Sequence, residues 1–272
     1  MAEAPRSIAQ EEYHLSSWGE DLKASGWESG GAFVGVTALG LYSWAWGSST
    51  AFRGNPEGWF GMGTGSGGTD KLGHAFSSYF VTNLIADRLI REGRTPERAG
   101  LSALLTSQAV MLYVEMFDGY SVDHGFSYED LIMDFLGGSL GYARTVHPKL
   151  RDLIDYRMEY EPSGYKGFRP ISDYAGQKYL LALKLGGFDA FRDSPLRYLE
   201  FQAGYYARGF SEAERDEGLT RTRHAFVGVG LNLSELLFGH REEQESMLKG
   251  AGRMFFDHIE IPNTAARVNS DL

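Results

Sequence analysis

The sequence predicts an α+β protein: an N-terminal apolar helical bundle of about four helices, followed by a small antiparallel β-sheet. Three observations carry this. Long stretches of the first half are apolar at helical spacing and are bracketed by helix-capping residues. Near His147-Pro148 the hydrophobic period changes to two. The 272 residues, 43% hydrophobic and 23% charged, suffice for a sizeable core. The division places a helical bundle in residues 1–148. Residues 149–272 hold the sheet, a short helix and a tail.

The elements follow in order. The opening MAEAPRSIAQ lacks the apolar stretch of a signal peptide, and Ala2-Glu3-Ala4-Pro5 reads like the start of a mature exported chain. Residues 31–49 form an apolar helix candidate, but the uncharged run Gly31 to Gly47 falls short of the roughly 20 residues of a membrane span. Ala99 to Tyr113 is similar, and a buried helix fits both. All five tryptophans lie in the first 59 residues, which suits a segment resting on a membrane as well as an aromatic core. Residues 56–68, PEGWFGMGTGSGG, read as a glycine-rich loop. A helix over 70–92 closes with basic residues and Gly93. One over 95–117 starts with Thr95 as N-cap and Pro96 in the first turn. One over 127–146 starts at Ser127-Tyr128-Glu129-Asp130 and stops before Pro148.

Beyond residue 150, Tyr179–Leu185, Leu199–Ala207 and Ala225–Leu233 carry apolar residues at odd positions, with Lys178 and Lys184, then Glu200, Gln202 and Arg208, then His224 and Asn232 on the respective other faces. A fourth strand falls near Tyr156–Tyr160. Gly186 to Pro195 and Phe210 to Arg221 read as hairpin loops. Residues 241–249 suggest a short helix, and the polar end from Asn263 suggests a loose tail. A lipid-embedded barrel needs at least eight strands. A small sheet packed on the helices is the better reading of three or four.

Composition excludes several functions. The net charge of −10, with no Lys/Arg-rich run, excludes a nucleic-acid backbone as partner. With no cysteine, thiol nucleophiles, Cys-ligated zinc and iron–sulfur clusters are ruled out. Gly63-Thr64-Gly65-Ser66-Gly67-Gly68 matches G-x-G-x-x-G, but no strand precedes it and Thr69-Asp70 follows where a P-loop has Lys-Ser/Thr, so no nucleotide site is expected.

The chemistry lies in polar residues set in apolar helices. Asp70 and His74 are one turn apart, Glu115 and Asp118 close the third helix, and Asp130 and Asp134 share a face of the fourth. A carboxylate among apolar neighbours costs several kcal/mol unless it finds a partner or a proton. Convergence from three helices would give metal ligands, Asp70, His74, Glu115, Asp118, Asp130 and Asp134, for a divalent ion. It would equally give an acid/base centre of His74, Glu115 and Asp134. Plainer roles compete: Asp70 as a helix N-terminal carboxylate, Asp130 as a capping partner of Ser127, and Lys71 in a buried ion pair with Glu115 or Asp134. The Glu-x-x-His spacing of di-iron helices is absent, since Asp118 follows Glu115. Ser77 and Ser78 lack a G-x-S-x-G context, which argues against a serine hydrolase. His124 stands close to the acidic residues in sequence.

DKLGHAFSSYF (70–80), YVEMFDGYS (113–121) and GFSYEDLIMDFLGGSLGY (125–142) together resemble the YfiM-like family of predicted periplasmic or outer-membrane lipoproteins. More distantly they are similar to VanZ-like membrane proteins. The likeness covers roughly residues 56–145 and carries over Asp70, Lys71, His74, Glu115, Asp118, Ser127, Asp130, Asp134 and Gly138. Ala75 stands where that family has phenylalanine, and the family's lipid-bearing cysteine has no counterpart. The resemblance implies a periplasmic or outer-membrane-associated protein of a Gram-negative bacterium, with membrane lipid or another envelope component as partner, and no established activity. Three functions are therefore expected: a non-catalytic envelope protein with a structural polar network, an envelope hydrolase acting on lipid or cell wall, or a ligand-binding module.

Overall fold

A computed structural model describes residues 15–164, 168–242 and 245–272. The helical region comprises α1 (Leu15–Ala24), α2 (Gly26–Ser43), α3 (Thr69–Arg91), α4 (Pro96–Asp118), α5 (Tyr128–Val146) and α6 (Pro148–Leu153). The Thr95 side chain accepts from the Arg98 amide at the start of α4, and Ser127 accepts from the Asp130 amide at the start of α5. The opening MAEAPRSIAQ and His14 lie outside the described residues. The apolar segment expected over 31–49 begins earlier and stops at Ser43. Ala45 and Gly47 then take positive φ of 51° and 77°, which no α-helix continues through. Trp46 folds back under α2, where Gly40 leaves room for its ring.

The sheet region holds β1 (Ile154–Tyr160), β2 (Gln177–Lys184), β3 (Leu199–Arg208), a short α7 (Glu212–Asp216), β4 (Thr222–Leu231), α8 (Leu233–Phe238), α9 (Met247–His258), β5 (Ile259–Glu260) and β6 (Ala265–Asp271). These strands form one six-stranded sheet in the order β5-β1-β2-β3-β4-β6. The expected small antiparallel sheet is thus larger, and it is mixed: β5 runs parallel to β1 while the other pairings are antiparallel. Two further expectations are corrected. The tail after Asn263 is strand β6, because its amides complete the β4 edge. The C-terminal helix runs over Met247–His258 rather than 241–249, capped by Ser246.

Phe76 and Tyr79 of α3 pack against Tyr156, Met158 and Tyr179 of β1 and β2, which joins the two regions. A second cluster, Ile85, Ala86, Leu89, Ala99 and Ala103, joins α3 to α4. Helices α3 and α5 approach closely at Gly137, where a Cβ would fall 1.9 Å from the carbonyl oxygen of Ala75.

Strands β3 and β4 are turned opposite to a soluble sheet. On β3, Glu200 and Gln202 are buried while Phe201 and Ala203 are exposed. On β4, Phe226 and Gly230 are buried, whereas Val227, Val229 and Leu231 are exposed. The inward face carries an ion-pair chain. Arg157 donates to Asp155, Glu200 and Glu260 at 2.8–3.0 Å, Arg144 and Lys184 reach Asp155, and Arg267 of β6 bonds Glu159 of β1 at 2.5 Å. Strands β1 and β6 stand four spacings apart in the sheet order, about 19 Å if the sheet were flat. The Arg267–Glu159 bond therefore requires a strongly curled sheet that encloses its charges.

Candidate functional site

The starts of α3 and α5 meet the end of α4. Gly68, the residue before α3, has φ of 90°, and a Cβ there would meet Phe60. That serves the chain reversal out of the glycine-rich loop. From these three ends Asp70, Lys71, His74, Glu115, Asp118, Asp130 and Asp134 project inward, and all except Asp70 and His74 are buried.

The structure sorts these residues into two adjoining groups. Lys71 Nζ lies 2.6 Å from Glu57 Oε2, 2.9 Å from Asp70 Oδ2 and 2.9 Å from Asp130 Oδ1. This corrects the expected pairing of Lys71 with Glu115 or Asp134. Four atoms of side chain from the first turn of α3 carry the ammonium toward the loop and the first turn of α5, not toward α4. Asp70 also accepts from the Ser66 hydroxyl. In the second group, His74 Nδ1 lies 3.3 Å from Asp134 Oδ1 and 3.7 Å from Glu115 Oε1, with Nε2 3.9 Å from Asp130. One ligand atom each of His74, Glu115 and Asp134 lies within 4.8 Å of the others, and carboxylate oxygens of Glu57, Asp70 and Asp130 are gathered as closely around Lys71. Asp118 stands apart and accepts from Trp46 Nε1 at 2.6 Å.

Supporting contacts hold the groups. Glu115 Oε2 accepts the Ser127 amide at 2.9 Å, which ties α4 to the cap of α5. Gln108 donates to the Asp134 carbonyl and to Ser78, and Ser78 also bonds Ser107. Glu129 accepts from the Gly58 amide and from Ser127, fastening the glycine-rich loop to α5. His124 contributes its carbonyl to Arg53.

Charge and burial compete throughout. Burial pushes the Glu115 carboxyl up to about 8, against the attraction of His74. Burial raises Asp134 in the same way. Burial works against a charged His74, but Asp130, Asp134 and Glu115 outweigh it and hold its pKa well above the ordinary value. Glu57 is pushed up to about 7 by burial and by Asp70, against the pull of Lys71. Asp70 is lowered: burial opposes this, but Lys71 prevails. Five carboxyls (Glu57, Asp70, Glu115, Asp130, Asp134) thus face two cations, and at neutral pH the excess is relieved by protons or by a bound cation.

A cavity of about 260 Å³ adjoins the Lys71 side, lined by Ser66, Asp173, Tyr174, Ala207, Phe210 and Glu214 among others. His74, Glu115 and Asp134 do not line it. Glu57, Ser66 and Glu129 were not anticipated. Glu57 had one visible signal, as the single charged residue of the loop 56–68.

Fold and site together define an α+β protein with ion pairs enclosed in both regions and a His–carboxylate centre where three helices meet. Residues 56–146 match the model of the family described as Predicted periplasmic lipoprotein (DUF2279). That segment holds the glycine-rich loop, α3, α4, α5 and every residue of the centre, and its description supports a periplasmic or envelope location. Comparison with curated proteins and with solved structures gave no match.

Proposed function

We propose that the chain is a YfiM-like envelope protein of a Gram-negative bacterium, associated with the outer membrane, whose centre binds a divalent cation. The more distant VanZ-like resemblance points to the same setting. The observation that carries the metal reading is the approach of His74, Glu115 and Asp134 from three helices to within 4.8 Å, while the only nearby ammonium, Lys71, is already engaged by Glu57, Asp70 and Asp130 among the described residues. One imidazole and two carboxylates suit a hard or borderline divalent ion. Asp130, 3.9 Å from His74 Nε2, stands beside the set.

A second reading, favoured by the raised Glu115, is a metal-free acid/base hydrolase acting on a lipid or cell-wall substrate. Glu115 would hold a proton near neutrality to give to a leaving group, and the Asp134 carboxylate, oriented by His74, would take one from water. Elemental analysis of wild type, Asp134→Asn and His74→Ala separates the two. The metal reading expects near-stoichiometric ion in wild type, its loss in both variants, and melting temperatures within a few degrees of wild type. Folded wild type that takes up no zinc, manganese or magnesium in calorimetric titration refutes it. Co-flotation of wild type with vesicles tests the membrane association.

A further inference from the structure

We infer that the outward faces of the sheet and of α4 and α5 sit among the acyl chains of a lipid bilayer. This deepens the membrane association proposed above and rests on it. The argument starts with where the charges are. Helix α5 carries four charged residues, Glu129, Asp130, Asp134 and Arg144, and all four are buried. Its exposed residues are Tyr128, Ile132, Phe135 and Leu136. In α4 beyond the first turn, Glu115 and Asp118 are buried while Leu112, Met116 and Phe117 are exposed. A helix in water shows the reverse arrangement.

The sheet repeats the inversion with a different period. Two registered rows cross the part of its outward face that α3 leaves open: Leu181, Ala203, Val227 and Val268, then Leu183, Phe201, Val229 and Ala266. None is charged, and Val268 and Val227 are 73% and 61% exposed. Behind them Arg157, Glu159, Glu200 and Glu260 are paired in the interior. Polar-in, apolar-out alternation is the arrangement of strands in lipid.

Two unrelated secondary structures obey one rule, so a common apolar solvent explains them better than one protein partner. The exposed apolar residues extend further to Val34 and Leu41 of α2, and Trp27 there is 90% exposed. Among the described residues one helix, α4, is long and apolar enough to cross a membrane, and half of its apolar window is buried in the protein. The outward run from Ala225 to Leu231 covers about 20 Å, against about 30 Å of hydrocarbon. The sheet therefore enters the bilayer without crossing it.

The absence of cysteine makes the test clean, because an introduced thiol is the only label site. Full-length Val227→Cys, Phe135→Cys and Asp189→Cys proteins, folded by circular dichroism, are spin-labelled and mixed with phosphatidylethanolamine–phosphatidylglycerol vesicles. Labels at 227 and 135 are expected to gain oxygen accessibility and lose access to a water-soluble nickel chelate, each severalfold. The label at 189, on an 83% exposed side chain, stays with the chelate. If the protein floats with vesicles but labels 227 and 135 stay chelate-accessible, the inference fails and the membrane association stands. If those labels broaden one another and exclude both reagents, a second copy covers the face and the inference fails. If wild type does not float, both readings fail.

Discussion

Replacing Gly137 by alanine tests whether the centre depends on the α3–α5 approach. The added Cβ would lie 1.9 Å from the Ala75 oxygen, 2.6 Å from its carbonyl carbon and 2.7 Å from its Cα. Ordinary contact begins at 3.4 Å, so the helices must separate by about 1.5 Å, and the obstacle is backbone that no rotamer change removes. Ala75 follows His74, and Gly137 lies three residues after Asp134. The same displacement therefore stretches the 3.3 Å His74–Asp134 contact beyond bonding range. Overpacking costs about 1–3 kcal/mol or more, against a helix-propensity gain near 1 kcal/mol for Gly→Ala. Because the obstacle is backbone, the upper end of that range applies, and we expect a net loss of about 2 kcal/mol and a melting temperature lower by about 5 °C or more. Metal uptake is expected to fall with it. Gly30→Ala, where nothing lies within 4 Å, is the control and should melt at or above wild type. Thermal unfolding by circular dichroism, with metal content measured on the folded fraction, decides. A Gly137→Ala protein as stable and as metal-competent as wild type would refute the reasoning.

Two other predictions concern the interior. His258 is buried, gives its Nδ1 proton to the Met254 carbonyl, and leaves Nε2 without a hydrogen-bond partner. Burial, assisted by Arg144, lowers its pKa from 6.5 to about 4. The folded state thus favours neutral histidine, so this contribution is intact above pH 6.5 and lost as pH falls from 6.5 to 4. The span corresponds to a loss of about 3 kcal/mol. His258→Phe should lack it, and parallel stability-versus-pH curves for the two proteins would count against the assignment. Arg157→Met removes the common partner of Asp155, Glu200 and Glu260 and should cost about 3–5 kcal/mol in denaturant unfolding. A loss below about 1 kcal/mol would mean that Lys184 and Arg267 neutralise the cluster without it.

Elements whose signals are local could be read from residue order. Thr95-Pro96 and Ser127 marked helix starts because a side-chain oxygen caps the nearest free amides, and apolar residues recurring at odd positions marked β2, β3 and β4. The sequence also singled out the polar residues of α3, α4 and α5, since a carboxylate amid apolar neighbours is conspicuous in one dimension. Tertiary structure alone decided how they associate. Lys71 joined Glu57, Asp70 and Asp130, and His74 joined Glu115 and Asp134, because partner choice depends on the distances between helix ends. Glu57 escaped notice since a lone acid in a loop carries no period. Strand β6 did too, because an edge strand is specified by the neighbour whose amides it satisfies. Which face of the sheet turns inward was likewise beyond the sequence. Alternation separates apolar from polar side chains but is symmetric in direction, and only the curl that brings Arg267 to Glu159 puts the charges inside and Phe201, Val227 and Val229 outside.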